Sequence, residues 1–187
     1  MSTVARLTLA EYDRMIAAGV FDERDNRRLE LIRGELREMT PPGPEHDDLT
    51  DLLQEWSHTA VPDRVRIRIE KSLGLPSLQT VPQPDVAWVV KRDYRHARPT
   101  ATDVLLVVEV AQSSLAYDRG EKAAMYAEAE IADYWIVNNR QQCVEVYRDP
   151  EAGQYRSVQT FSGDQEVRPL ALPDVFLRPS MLWPPGT

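Results

Sequence analysis

Cysteine is nearly absent. Cys143 is the single one among 187 residues, which excludes an internal disulfide framework and any zinc site built on cysteine pairs. No apolar run approaches the roughly 20 residues that span a bilayer. The opening stretch MSTVARLTLAEYDRM lacks both an apolar targeting core and a cleavage site, so the expectation is a cytoplasmic protein with no membrane segment. There is no glycine-rich phosphate cradle, since YDRGEK carries one glycine, and no G-x-S-x-G elbow to present a serine nucleophile. Positive charge is in deficit: 22 Lys and Arg against 30 Asp and Glu give a net charge of −8. That argues against coating nucleic acid by bulk electrostatics, but not against an enzyme whose acids bind a cation. What is present is a 42% hydrophobic, 28% charged chain, enough for one domain over residues 1–187 with its own core.

Local patterns order the chain. TLAEYDRMIAAG reads as an amphipathic helix, with Thr8 and Glu11 at capping-box spacing and Gly19 as its stop. RRLELIRGELREM alternates around Arg33-Gly34 and reads as a hairpin. A proline-rich loop, TPPGPEH, leads into a helix that His46 opens, with apolar residues at Leu49, Leu52, Leu53 and Trp56. RVRIRIEKSLGL alternates as a half-buried strand. PDVAWVV and DVLLVVEV follow, the second apolar enough for a central position in its sheet. YDRGEKAAMYAEAEI reads as a helix capped by Asp118; DYWIVN is a buried strand, and CVEVYRD and QYRSVQTF form a later meander. Trp88, Trp135 and Trp183 are assigned to the core. The fold class expected is α/β (α+β): a mixed central sheet flanked by helices, with extra antiparallel strands.

Two acids stand out in the apolar strands. Asp85 precedes one and Glu109 lies near the end of the next. If the two strands pair antiparallel, both acids reach the same end of the sheet. Adjacent carboxylates repel, and one tends to take a proton. A hard divalent cation relieves this, since Mg²⁺ binds one or two carboxylates together with water and phosphate. From spacing alone a second reading stays open: Glu109 is exposed at a strand end or paired with an arginine. Between the strands, KRDYRHAR forms a basic cluster.

The segments LELIRGELREMTPPGPEH, VPQPDVAWVV, LLVVEVAQSS, YDRGEKAAMYAEAEIADYWIVN and VEVYR, in this order, resemble the Uma-type family of restriction-endonuclease-like proteins in the PD-(D/E)XK phosphodiesterase superfamily. The resemblance covers Leu7 to Arg148, with strands and a tail over 149–187. It implies a restriction-endonuclease-like core and a Mg²⁺- or Mn²⁺-dependent endonuclease that hydrolyses DNA phosphodiester bonds, with Asp85 and Glu109 as metal ligands. The superfamily pattern wants a lysine two residues after the acid, and Ala111 stands there. The resemblance therefore implies a substitute from the next helix: Lys122, with Tyr126 one turn later on the same face. His46 and Glu30 are implied as further ligands, His46 also as a base or phosphate contact. Read from residues alone, His46 is a solvated helix start, Glu30 a strand-surface acid, and Asp118 with Lys122 a surface ion pair. DNA contact is expected through Lys91, Arg92, Arg95 and Arg98, and a homodimer if both strands are cut. The alternative, prompted by Ala111, is a catalytically inactive nuclease fold that binds nucleic acid or a protein partner.

Overall fold

The computed structural model describes residues 4–21 and 28–184. Helix α1 (Leu9–Ala17) begins as expected, with the Thr8 hydroxyl accepting from the Glu11 amide and the Glu11 carboxylate accepting from the Thr8 amide. Strands β1 (Leu29–Ile32) and β2 (Glu35–Glu38) pair antiparallel with Ile32 opposite Glu35. That leaves Arg33 and Gly34 as a two-residue turn with φ of 52° and 80°, the doubly left-handed geometry that matches strand twist. A side chain at Gly34 would also meet the Leu7 carbonyl at 2.8 Å, so glycine is required there for space as well as for φ.

Helix α2 (Pro44–Ala60) starts two residues before His46, because Pro44 takes a first-turn position where no amide donor is needed. Six strands follow: β3 (Val65–Ile69), β4 (Val86–Val90), β5 (Val104–Ala111), β6 (Asp133–Asn138), β7 (Cys143–Glu151) and β8 (Gln154–Ser162). They form one mixed sheet in sequential order, antiparallel except for the parallel β5–β6 pair. The parallel step needs a crossover, which is the helical segment 115–128, here α3. It consists of an α-turn Leu115–Tyr117, a π-helical stretch Asp118–Lys122 and an α-helix Ala123–Glu128. The expected cap at Asp118 is therefore corrected. The chain turns helical at Leu115, with the Tyr117 and Asp118 amides donating to the Ser114 carbonyl, and Asp118 lies inside the helix, buried.

The central strands β4, β5 and β6 are buried on both faces, and strand alternation sorts their side chains between two cores. Val86, Trp88, Val108 and Val110 pack with Leu49, Leu53 and Trp56 of α2. Ala87, Val89, Val107 and Ala111 pack with Ala123, Met125 and Tyr126 of α3. Trp56 stacks on Trp88 at 4.9 Å between ring centroids and on Trp135 at 6.1 Å. The Trp88 indole donates to Ser57 Oγ at 2.8 Å and that of Trp135 to Asp133 Oδ1 at 2.8 Å. Trp183 packs against the same core, so all three tryptophans are where they were assigned. Trp88→Ala is expected to cost about 3–5 kcal/mol, read as a lower urea midpoint; a loss under about 1 kcal/mol would contradict this packing.

Candidate active site

Val86 lies opposite Val108 in the β4–β5 ladder, so Asp85, one residue before, is brought beside Glu109, one residue after. Asp85 Oδ2 accepts from the Val110 amide at 2.7 Å, extending the ladder by one side-chain bond. The same oxygen lies 3.2 Å from His46 Nε2. Helix α2 thus delivers His46 to Asp85 while its apolar residues Leu49, Leu53 and Trp56 pack on β4 and β5.

Glu109 points to the α3 face, where two residues one turn apart take its two oxygens. Lys122 Nζ is 2.9 Å from Oε2, and the Tyr126 hydroxyl donates to Oε1 at 2.8 Å. A carboxylate in this strand is tolerated because it meets a buried ammonium and a phenol, not a strand-edge arginine. Lys122 also lies 3.6 Å from Asp118 Oδ1, and the pair is buried rather than on the surface. Asp118 Oδ2 accepts from Ser114 Oγ, while Oδ1 is buried without a hydrogen bond. Glu30, from β1, accepts from the Gln83 amide and is buried at 4% exposure. Ala111 is buried on the same face as Glu109, so the lysine of this site comes from the helix.

Four buried carboxylates, Glu30, Asp85, Glu109 and Asp118, thus surround one buried lysine. Burial pushes Glu109 well above the usual carboxylate range, with Lys122 opposing and Asp85 adding to the rise. Burial likewise raises Glu30 and Asp118 against the pull of Lys122. Burial would raise Asp85 too, but the His46 hydrogen bond, the Lys122 charge and the Val110 amide bring it below its ordinary value. His46 is raised, chiefly by its bond to Asp85. Burial would lower Lys122, yet the acids around it hold it well above the ordinary lysine value. The acids therefore favour its ammonium form.

These groups line an open cavity of about 450 Å³, bordered by the hairpin and the proline-rich loop, with Arg28 and Arg37 also on its wall. Arg28 pairs with Glu70 at 2.7 Å, and Arg37 with Glu121 at 2.7 Å. Every residue proposed from sequence for the site reaches this cavity or its first neighbours, while the cavity wall also holds Asp118, Arg28 and Arg37, which sequence reasoning missed. For Asp118 a signal existed, its spacing of four from Lys122; for Arg28 none did. The basic segment Lys91–Arg98 does not reach the cavity. It follows the far end of β4, roughly 16 Å of strand from Asp85, and Lys91, Arg92, Arg95 and Arg98 each face a carboxylate, on Asp63, Asp103, Asp93 and Asp13.

Among the described residues, no group of three or more His, Cys, Asp or Glu side chains is arranged to hold a metal ion. Mg²⁺ does not need one, since it takes one or two protein carboxylates and keeps water. The donor chemistry fits: hard oxygens, adjacent, and in excess over the charge that Lys122 and His46 supply.

A family model described as Uma2, "Putative restriction endonuclease", matches residues 9–180. The chain belongs to this family. The match to Uma2 runs beyond Arg148, through β8 and into the segment after it. The fold is shared with the crystal structure of a "putative nuclease belonging to DUF820" from Anabaena variabilis ATCC 29413, at a TM-score of 0.72 and 18% identity over 95% of this chain and 97% of that one. No curated protein matches the chain. Among the described residues, no helix is long and apolar enough to cross a membrane.

Because the raised carboxyls of this Uma2 site bind protons more tightly folded than unfolded, their contribution to stability falls as pH rises through those raised values. Removing the lysine charge raises them further. Lys122→Met is expected to lose about 3–5 kcal/mol near pH 8 and to regain part of it toward pH 5, in urea unfolding at both pH values. An equal loss at both would contradict the charge account.

Proposed function

We propose that this chain is a metal-dependent endonuclease that hydrolyses DNA phosphodiester bonds. The observation that carries the reading is the placement of Asp85 beside Glu109 in a cavity, with the Lys122 ammonium 2.9 Å from Glu109. Asp85 and Glu109 would hold Mg²⁺ or Mn²⁺, with His46 and Glu30 completing the set. The cation, when bound, supplies polarisation of the scissile phosphate and a lowered pKa for water.

The chain's own groups do the rest. Lys122, held toward its ammonium form by the acids around it, is suited to stabilise charge developing on the phosphate oxygens. Tyr126 fixes one Glu109 oxygen through its hydroxyl and leaves the other to the lysine. Asp118, held by Ser114, keeps Lys122 over the acids. His46 orients Asp85 and, being raised toward its cationic form, is suited to a phosphate contact. Arg28 and Arg37 on the cavity wall are placed for phosphates flanking the cut, contacts that position substrate without reading bases. Cutting both strands takes two such sites, which favours a homodimer. The lysine contributed by α3 argues against the inactive-module reading, because the charge absent at Ala111 is restored at Glu109.

Plasmid nicking with Mn²⁺ or Mg²⁺ tests the proposal. Wild type is expected to nick and to stop in EDTA, while Asp85→Asn, Glu109→Gln and Lys122→Met each fall by about 10²–10³-fold. Calorimetry with Mn²⁺ alone is expected to show binding in wild type, lost in Asp85→Asn and Glu109→Gln. A wild type inert toward single- and double-stranded DNA with either metal, or acid variants that bind Mn²⁺ as wild type does, would defeat it.

A further inference from the structure

The sheet's open edge carries a second concentration of positive charge, away from the cavity and beside the segment that follows β4. Strand β3 is terminal in the sheet, and its apolar residues Val65, Ile67 and Ile69 face the α2 core. The alternate positions are arginines: Arg66 opposite Val89 and Arg68 opposite Ala87, with Arg64 just before the strand. Two-residue steps place them about 6.8 Å apart, the scale that separates successive phosphates along one nucleic-acid strand. In a chain of net charge −8, such a row is an exception that needs a reason.

In contrast to Lys91, Arg92, Arg95 and Arg98, none of the three forms a close ion pair among the described residues, although Asp93 feels the charge of Arg66. Arg66 and Arg68 instead lie over the Tyr94 ring, 5.7 and 5.8 Å from its centroid, with Arg92 at 5.3 Å. The ring is held by its hydroxyl, which donates to the Val90 carbonyl at 2.7 Å. Arg68 donates to the Ser72 carbonyl at 3.3 Å, but its Nε is buried with no acceptor. Gathering three guanidinium groups on one ring costs repulsion, and a polyanion relieves it. Arg68 lies across from Ala87, one strand alternation from Asp85, so the row runs away from the catalytic end of the sheet.

We propose that Arg64, Arg66 and Arg68, the last two gathered over Tyr94, form a second binding site for the sugar–phosphate backbone of a nucleic-acid strand, holding substrate that extends beyond the cavity. The proposal rests on the nuclease reading for its ligand class, and its test does not depend on cleavage. Anisotropy of a fluorescein-labelled single-stranded DNA 20-mer is followed with the full chain in EDTA across a NaCl series. The triple variant Arg64→Gln, Arg66→Gln, Arg68→Gln is expected to bind about tenfold more weakly near 0.1 M salt. Its slope of log K against log [NaCl] is expected to shrink by about 2, three contacts at roughly 0.7 each. The corresponding triple lysine variant keeps the charge and is expected to stay within about threefold of wild type.

Unchanged affinity and slope in the glutamine variant would overturn the proposal. So would an equal loss in the lysine variant, which would mark a packing effect, and so would a wild type that does not bind. Cleavage, assayed separately, distinguishes the two readings. A wild type that binds through these arginines yet never cuts DNA defeats the nuclease and leaves this surface. A wild type that cuts while the glutamine variant binds normally does the reverse.

Discussion

A carboxylate buried in the middle of a sheet is the constraint around which this protein is arranged. Glu109 stands in a strand covered on both faces, where burial favours its neutral form and the Lys122 ammonium opposes that, with the Tyr126 hydroxyl bonded to its other oxygen. Breaking such a pair by removing one partner costs several kcal/mol, because the survivor is left charged and dry. The surroundings compound the problem. Asp85, Asp118 and Glu30 crowd the same lysine, so four carboxyl groups share one ammonium. Under the proposed function, a divalent cation is what this cluster is built to receive.

Topology explains why a helix can provide the lysine. Strands β5 and β6 run parallel, and their connection has to cross one face of the sheet. Segment 115–128 is that crossing, and it passes directly over the face from which Glu109 projects. A lysine two residues after the acid on β5 and a lysine in the first half of the crossover helix therefore reach the same carboxylate. The π-helical stretch Asp118–Lys122 sits where the helix meets the acids, a position where such insertions are frequent at functional sites.

Strand alternation and hairpin chemistry made most of the fold legible before any coordinates. The Arg33-Gly34 turn, the buried β5 and the β7–β8 meander are all written in residue types at fixed spacing. The acid pair was legible for the same reason, since an antiparallel pairing of β4 and β5 leaves Asp85 and Glu109 nowhere else to go. Asp118 was legible only as the i, i+4 partner of Lys122; its burial was not, because aspartate near a helix start is ordinarily a cap. Nor was the neutralisation of the Lys91–Arg98 segment, whose partners Asp13, Asp63 and Asp103 are mostly distant in sequence. The arginines left without carboxylates lie one strand over, where alternation with valine and isoleucine made them look like an ordinary solvated face.

The claim on which this account turns is that the acid cluster is short of one cation. Anomalous diffraction from a crystal soaked in Mn²⁺ measures it most directly. A single strong peak contacting both the Asp85 and Glu109 carboxylates is the predicted result. A saturated crystal with no peak there, and with Lys122 still alone among the four acids, would contradict it.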